Sequence, residues 1–251
     1  MWRACCGDSK DACHKIVAPV ADSECEWSPV RVAEGAVEPP RMLFSKTVQE
    51  VDGFSSALHE FEVRLENKSP GFEGLGLLID GLDVANLHIC AILPGTVDEW
   101  NRQSPLGPRV QAGDYIVDVR GAAANTCLLT MLRQAEGHVA FTVRRPHLFD
   151  VFVAKYPGGK EGGGQICIDL SGIEFSIGLL FCEIKEGPFT EWNRLHPDKA
   201  VQVKDRIVSV NGVSGVPSAM VIAKTIEAQP VGVPMTITIS RSVHNRARFT
   251  S

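Results

Sequence analysis

From Phe61 to Glu66 apolar and polar residues alternate, Phe61-Glu62-Val63-Arg64-Leu65-Glu66, which is the period of a strand with one buried face. A turn at Ser69-Pro70-Gly71 follows, then an apolar run over 74–79, a strand over 87–93 and a Pro94-Gly95 turn. A short helix over 97–102 and a strand over 115–119 come next. Leu128, Leu129, Met131, Leu132 and Ala135 then recur at helical spacing over 126–135, and 139–143 alternates again. The predicted order is β, β, β, short α, β, α, β within about 90 residues.

That order returns in strands over 149–153, 165–170, 177–184, 206–210 and 235–239, with a short helix over 189–194 and a longer one over 218–228. Two phrases return with it. Val110-Gln111-Ala112-Gly113-Asp114-Tyr115-Ile116-Val117-Asp118-Val119-Arg120-Gly121 matches Val201-Gln202-Val203-Lys204-Asp205-Arg206-Ile207-Val208-Ser209-Val210-Asn211-Gly212. Upstream, Gly95-Thr96-Val97-Asp98-Glu99-Trp100-Asn101 matches Gly187-Pro188-Phe189-Thr190-Glu191-Trp192-Asn193. Matched phrases in the same order, about ninety residues apart, mark a tandem duplication. Two copies do not make a solenoid, so each is expected to be a small domain, over 58–145 and 146–243, with a tail over 244–251. Only Arg144-Arg145-Pro146-His147-Leu148 separates them, and Pro146 stiffens that link.

Composition adds limits. With 251 residues, 44% of them hydrophobic, the chain can bury more than one modest core. Residues 1–57 lack periodicity and carry Pro19, Pro29, Pro39 and Pro40 among scattered acids, so they are expected to be disordered. A net charge of −5 with no basic face argues against a nucleic-acid partner. No apolar run approaches the roughly 20 residues a membrane span needs, and the N-terminus lacks the apolar core of a secretory signal.

Of the eight cysteines, Cys90, Cys167 and Cys182 lie in apolar strand-like runs and Cys127 at a helix start, which reads as reduced thiols in a cytoplasmic protein. Cys5-Cys6, Cys13-His14 and Cys25 lack the paired spacing of a zinc knuckle. They read as incidental thiols, as S-acylation sites at Cys5 and Cys6, or as metal ligands. Trp2 in place of Gly excludes N-myristoylation, and a single acyl chain would give only weak, peripheral membrane association. The seven histidines show no ligand spacing to Cys, Asp or Glu, so no metal or cofactor is expected. Gly158 to Gly164 lacks the spacing of a phosphate loop, and Gly212-Val213-Ser214-Gly215 is too short for a nucleophile elbow. No enzymatic activity is expected.

The Gly113-to-Gly121 phrase and the order of elements resemble the PDZ family over about 185 residues, from Phe61 to Ser242. The resemblance implies an α+β protein: two tandem PDZ-like, partly open β-barrels or sandwiches, each of five to six strands and two helices, after the disordered segment. It implies that Gly74-Leu75-Gly76-Leu77 gathers backbone N–H groups around the C-terminal carboxylate of a partner, since glycines reach conformations closed to other residues. The peptide would add as a strand beside the stretch from Leu78 through Ile79 to Asp80. Leu129 and Leu132 either line the opposite wall or face the core. The family places a His at the first wall position of its Ser/Thr-selective class. The residues in range, Asn125 to Cys127 and Val216 to Ser218, include none, which favours apolar ligands. In the second copy Gly164-Gln165-Ile166 occupies the loop with Gln165 in the place of Gly76, and Lys204 replaces Gly113, so carboxylate capture is less secure. Trp100 and Trp192 are outside the family pattern and read either as caps on each core edge or as a shared partner surface. The implied function is a scaffold or adaptor that captures C-terminal or internal peptides of other proteins by strand addition. The alternative is a structural or regulatory subunit that assembles through the tryptophan faces with its grooves unused.

Overall fold

Alternating apolar positions produce two antiparallel sheets, each with its own core. The structure, a computed structural model, describes residues 60–67, 71–103, 106–121, 127–157 and 166–242. The expected disordered segment, Cys5, Cys6, Asn125, Gly164, Gln165 and the tail lie outside the described residues.

The first half contains β1 (Glu60–Asn67), α1 (Gly71–Leu75), β2 (Leu77–Asp80), β3 (Leu87–Ile92), α2 (Thr96–Gln103), β4 (Tyr115–Val119), α3 (Leu128–Gln134) and β5 (Gly137–Arg144). Its strands run in the order β1-β5-β4-β3-β2. The second half contains β6 (His147–Ala154), β7 (Ile168–Ser171), β8 (Leu179–Ile184), α4 (Pro188–Leu195), a 3-10 turn (Pro197–Lys199), β9 (Arg206–Val210), β10 (Val213–Ser214), α5 (Met220–Ala228) and β11 (Pro234–Arg241). Its order is β6-β11-β9-β8-β7, with β10 paired to β9. The two orders are the same path, so the duplication is one of topology as well as of sequence. The short helical turn α1, just before the glycine loop, was not expected from the sequence.

The recurring phrases prove to be structural fasteners. Asn101 bonds both the N–H and the C=O of Val110, at 2.9 and 3.0 Å. Asn193 does the same at Val201, at 2.7 and 2.8 Å. Asp114 accepts from Gln111 N at 2.8 Å and Asp205 from Gln202 N at 2.8 Å. Arg145 then grips both oxygens of Asp114 while lying over the Phe61 ring, and Arg241 grips Asp205 while lying over Phe149. Val110 and Val201 are buried, so truncating the asparagine strands an N–H and a C=O away from water. Asn101→Ala and Asn193→Ala should each cost about 1–3 kcal/mol, measured by urea unfolding. A loss below about 0.5 kcal/mol at both positions would show that the clamp does not hold the loop.

The tryptophans close core edges. Trp100 stacks on Phe61 at 6.3 Å between centroids. Trp192 is buried, packs on His196 and Phe152, and donates its indole N–H to Lys199 O at 3.1 Å. Trp192 therefore has little surface left for a partner.

A second kind of burial joins the halves. Asp80, His88, Tyr115 and Arg144 face one another across β2, β3, β4 and β5. Ser171, Leu180, Arg206 and Ser240 form the equivalent row across β7, β8, β9 and β11. Every member is buried, yet none belongs to either hydrophobic core. The rows meet each other: Arg206 donates to Asp80 at 2.7 Å, Ser176 donates to Asp80 at 2.6 Å, and the Tyr115 and Ser240 hydroxyls pair at 2.9 Å. Arg144 also donates to Ser242 at 3.3 Å and Ser242 to Asn86 at 3.0 Å.

The departure from glycine at Lys204 has its reason here. Gly113 has φ +95° and Lys204 keeps a left-handed φ of 78°. A side chain in that region costs roughly 1–2 kcal/mol. Lys204 Nζ lies 3.2 Å from the buried carboxylate of Asp83 in the other half. A glycine would relieve the strain and leave that carboxylate without its cation.

Candidate peptide-binding site

The glycine loop of the first half is built by a close approach of two chain segments. Gly76 has φ +70°, and a Cβ there would sit 2.6 Å from Leu93 O and 2.9 Å from Gly95 Cα. Leu93 N donates to Gly76 O at 2.8 Å and the Thr96 hydroxyl to Gly74 O at 2.8 Å. Leu75 and Leu77 are buried in the core on either side. The loop is thus held by the turn that starts α2, and β2 leaves it in a fixed direction.

Among the described residues β2 pairs only with β3 and is the edge of its sheet. Such an edge presents a row of backbone groups to an incoming strand. Leu78 is half-buried and Ile79 is buried. Across from β2 stands α3, whose Leu128 and Leu132 point into the core while Leu129 packs only partly against it. Leu132 is therefore a core residue and not a groove wall: it lies one helical turn from Leu128, on the stripe that faces the sheet. Leu129 reaches the residue that follows β2, since a Cβ on Gly81 would lie 3.0 Å from its Cδ2. Asp80, at the end of β2, turns away from the groove into the contact between the halves.

In the second half the sheet register moves the equivalence by two residues. Lys185 N donates to Cys167 O at 2.9 Å, as Leu93 N does to Gly76 O. Ile168 pairs with Ile184 as Leu77 pairs with Ile92. The counterpart of Gly76 is therefore Cys167, not Gln165, and Ile166, buried in the second core, is the counterpart of Leu75. Gly162-Gly163-Gly164 upstream resemble the first loop in sequence, so spacing alone points to Gln165. Cys167 keeps a left-handed φ of 50°, and its side chain fills the space against Gly187. The loop after β7 folds back on the start of α5, with Ala219 N donating to Ser176 O at 2.6 Å and the Ser218 hydroxyl to Glu174 O at 3.2 Å. Ile222 and Ile226 fill the core as Leu128 and Leu132 do. Equal spacing carries the range 125–127 of the first half to 219–221 rather than to the 216–218 read from sequence.

The contact between the halves also holds a cluster that the sequence reading did not find. Strand alternation and register bring Asp80, His88 and Cys90 to one face, with their ligand atoms all within 4.8 Å of one another. A spacing of two along an extended strand puts His88 and Cys90 on one face, so a histidine does stand at ligand spacing to a cysteine, contrary to the expectation from sequence. Burial, with the nearby Arg206 charge, drives His88 down to about 3, so it is a neutral imidazole. Burial pushes the Cys90 thiol up to about 11, with Asp80 adding to the rise. Burial also pushes Asp80 upward, but the Arg206 charge and the bonds from Arg206, Ser176 and Leu82 N outweigh it and hold the carboxyl below its ordinary range.

No protein-family profile and no curated protein matches the chain. Among solved structures, the PDZ45 unit of INAD in complex with NG2 peptide is 20% identical, with 74% of this chain and 90% of that chain covered and a TM-score of 0.36. The same unit with NORPA CC-PBM is 19% identical over 74% and 91%, with a TM-score of 0.33. A choanoflagellate SHANK1 PDZ domain bound to GIRK3 peptide is 19% identical over 39% and 96%, with a TM-score of 0.30. The architecture rests on the chain's own geometry: each half carries the same strand path, a helix after the third strand and a second helix before the last strand. The chain is a tandem of two halves with the element order that the resemblance to PDZ domains implies.

Proposed function

We propose that the chain is a protein-binding adaptor whose first groove, between β2 and α3, takes the C-terminus of a partner by strand addition. The observation that carries this reading is the unpaired edge of β2, leaving a glycine-pinned loop and facing Leu129 across the gap. The units that bind are residues 58–145 and 146–243. In the loop the carboxylate would meet the backbone N–H groups around Gly74, Leu75, Gly76 and Leu77, and the apolar last side chain would rest beside Leu78, Ile79 and Leu129. A charge-assisted hydrogen bond of this kind contributes about 1.5–3 kcal/mol, which suits micromolar binding near −8 kcal/mol.

The second groove is the weaker one. Cys167 puts a side chain where the first loop has none, and the bond from Ala219 to Ser176 ties the loop after β7 to the head of α5. Ile166 stands just before Cys167, and Gly164 and Gln165 precede it in the sequence. Among the described residues no helix is long and apolar enough to cross a membrane, and we read the adaptor as cytoplasmic, with Cys5 and Cys6 as its route to weak membrane association.

A display library of random C-terminal peptides, selected on the full chain, tests the reading. The selected sequences should share an apolar last residue and vary freely upstream. A selection that enriches no terminal residue would argue against the groove.

A further inference from the structure

Asp80, His88 and Cys90 lie where the halves meet, and the groove chemistry uses none of their side chains. His88 is fully buried and neither ring nitrogen has a hydrogen-bond partner. Tyr115 packs beside the ring at 5.0 Å between centroids but offers it no hydrogen bond. Leaving a buried polar atom unmet is unfavourable, and here both ring nitrogens are unmet. Two residues along β3, the Cys90 sulfur is buried on the same face, and Asp80 pairs with His88 in register. Imidazole, thiol and carboxylate within 4.8 Å of one another are metal-ligand chemistry.

We propose that His88 and Cys90, with Asp80 beside them, bind one soft monovalent metal cation, copper(I) in kind. Charge selects the ion. Asp80 and Arg206 already cancel, at 2.7 Å and without exposure. Binding forms a metal–sulfur and a metal–nitrogen bond, and the thiol proton leaves to solvent. The one negative charge so created is balanced by a monovalent cation and overshot by a divalent one, and net charge in a site shut off from water is costly. A thiolate with a neutral imidazole is also the ligand pair that a soft ion prefers. The metal arrives and stays as copper(I), so no electron is transferred.

Asp80 has a subordinate role. Its Oδ2 accepts from Ser176 and Arg206 and its Oδ1 from Leu82 N, so its oxygens are already engaged and it stands beside the ligand pair without being one of its two metal-bonding members. Because the ligands are sealed by the second half, loading requires the halves to part, and metal binding should couple to folding.

The test uses the full chain with Cys5, Cys6, Cys13 and Cys25 all changed to Ser, so that N-terminal thiols do not contribute. The protein is refolded without oxygen in copper(I) buffered by bicinchoninate and passed through gel filtration. About one copper per chain should be retained, with a thiolate-to-copper absorption band and a raised unfolding midpoint. Cys90→Ser and His88→Phe should each lower the copper affinity at least tenfold. Cys182→Ser, at the equivalent place in the second half, should leave it unchanged. Zinc supplied instead should be retained at less than a tenth of an equivalent. Copper retained equally by Cys90→Ser, no copper retained by the parent, or a full equivalent of zinc would each overturn the proposal. The shift in midpoint is read on the parent protein, so the test survives if a variant fails to fold.

Discussion

Replacing Arg206 by Met should lower the stability of the whole chain by about 3–5 kcal/mol, because it leaves the Asp80 carboxylate buried without its cation. The pair is fully enclosed, with neither side chain exposed and 2.7 Å between them. A surface pair would be worth under about 1 kcal/mol, so the size of the loss reports whether the halves pack together. The double change Asp80→Leu with Arg206→Met removes both charges and should recover most of the loss, since a buried ion pair and apolar side chains of similar volume are often of comparable stability. Urea unfolding of the three proteins makes the comparison. A loss below about 1 kcal/mol for Arg206→Met would mean that the halves do not enclose the pair.

The other large effect is expected at Gly76. A valine there must adopt a left-handed φ, costing about 1–2 kcal/mol, and force its Cβ into a position 2.6 Å from Leu93 O. Overpacking adds about 1–3 kcal/mol, so Gly76→Val should cost several kcal/mol by thermal or urea unfolding. Gly113→Ala is the matched control, because Gly113 has φ +95° but nothing within 4 Å of its added Cβ. It should show the backbone part alone, about 1 kcal/mol. Equal losses at the two sites would show that the approach of Gly76 to Gly95 does not constrain the loop. The result also governs how the groove is tested. A change at Gly76 disturbs the fold, so ligand chemistry must be varied in the peptide.

The strand path of both halves was legible in the sequence because one face of each strand is apolar, as in Val63 and Leu65 of β1 or Val151 and Val153 of β6. The recurrence of Trp-Asn and of Gly-Asp or Lys-Asp was legible too, but its purpose was not. Only the geometry shows that Asn101 and Asn193 clamp buried loop backbone. The counterpart of Gly76 was misread because glycines at 162–164 resemble the first loop, whereas strand register selects Cys167. Leu132 was ambiguous because spacing alone does not tell which of two adjacent leucines faces the sheet. The contact between the halves was invisible for a simpler reason. Asp80, His88 and Arg206 are outward with respect to their own sheets, and in each case the other half is what buries them.

The most direct test of the adaptor reading is a calorimetric titration of the full chain with two peptides, one ending in a free apolar residue and its amidated twin, repeated while backbone amide shifts are followed by NMR. The free acid should bind about tenfold or more tightly, from hydrogen bonding worth at least ~1.4 kcal/mol. The largest shifts should fall on Gly76, Leu77, Leu78 and Leu129. Equal affinity for acid and amide, or shifts confined to residues away from β2 and α3, would contradict capture of a carboxylate by the first groove.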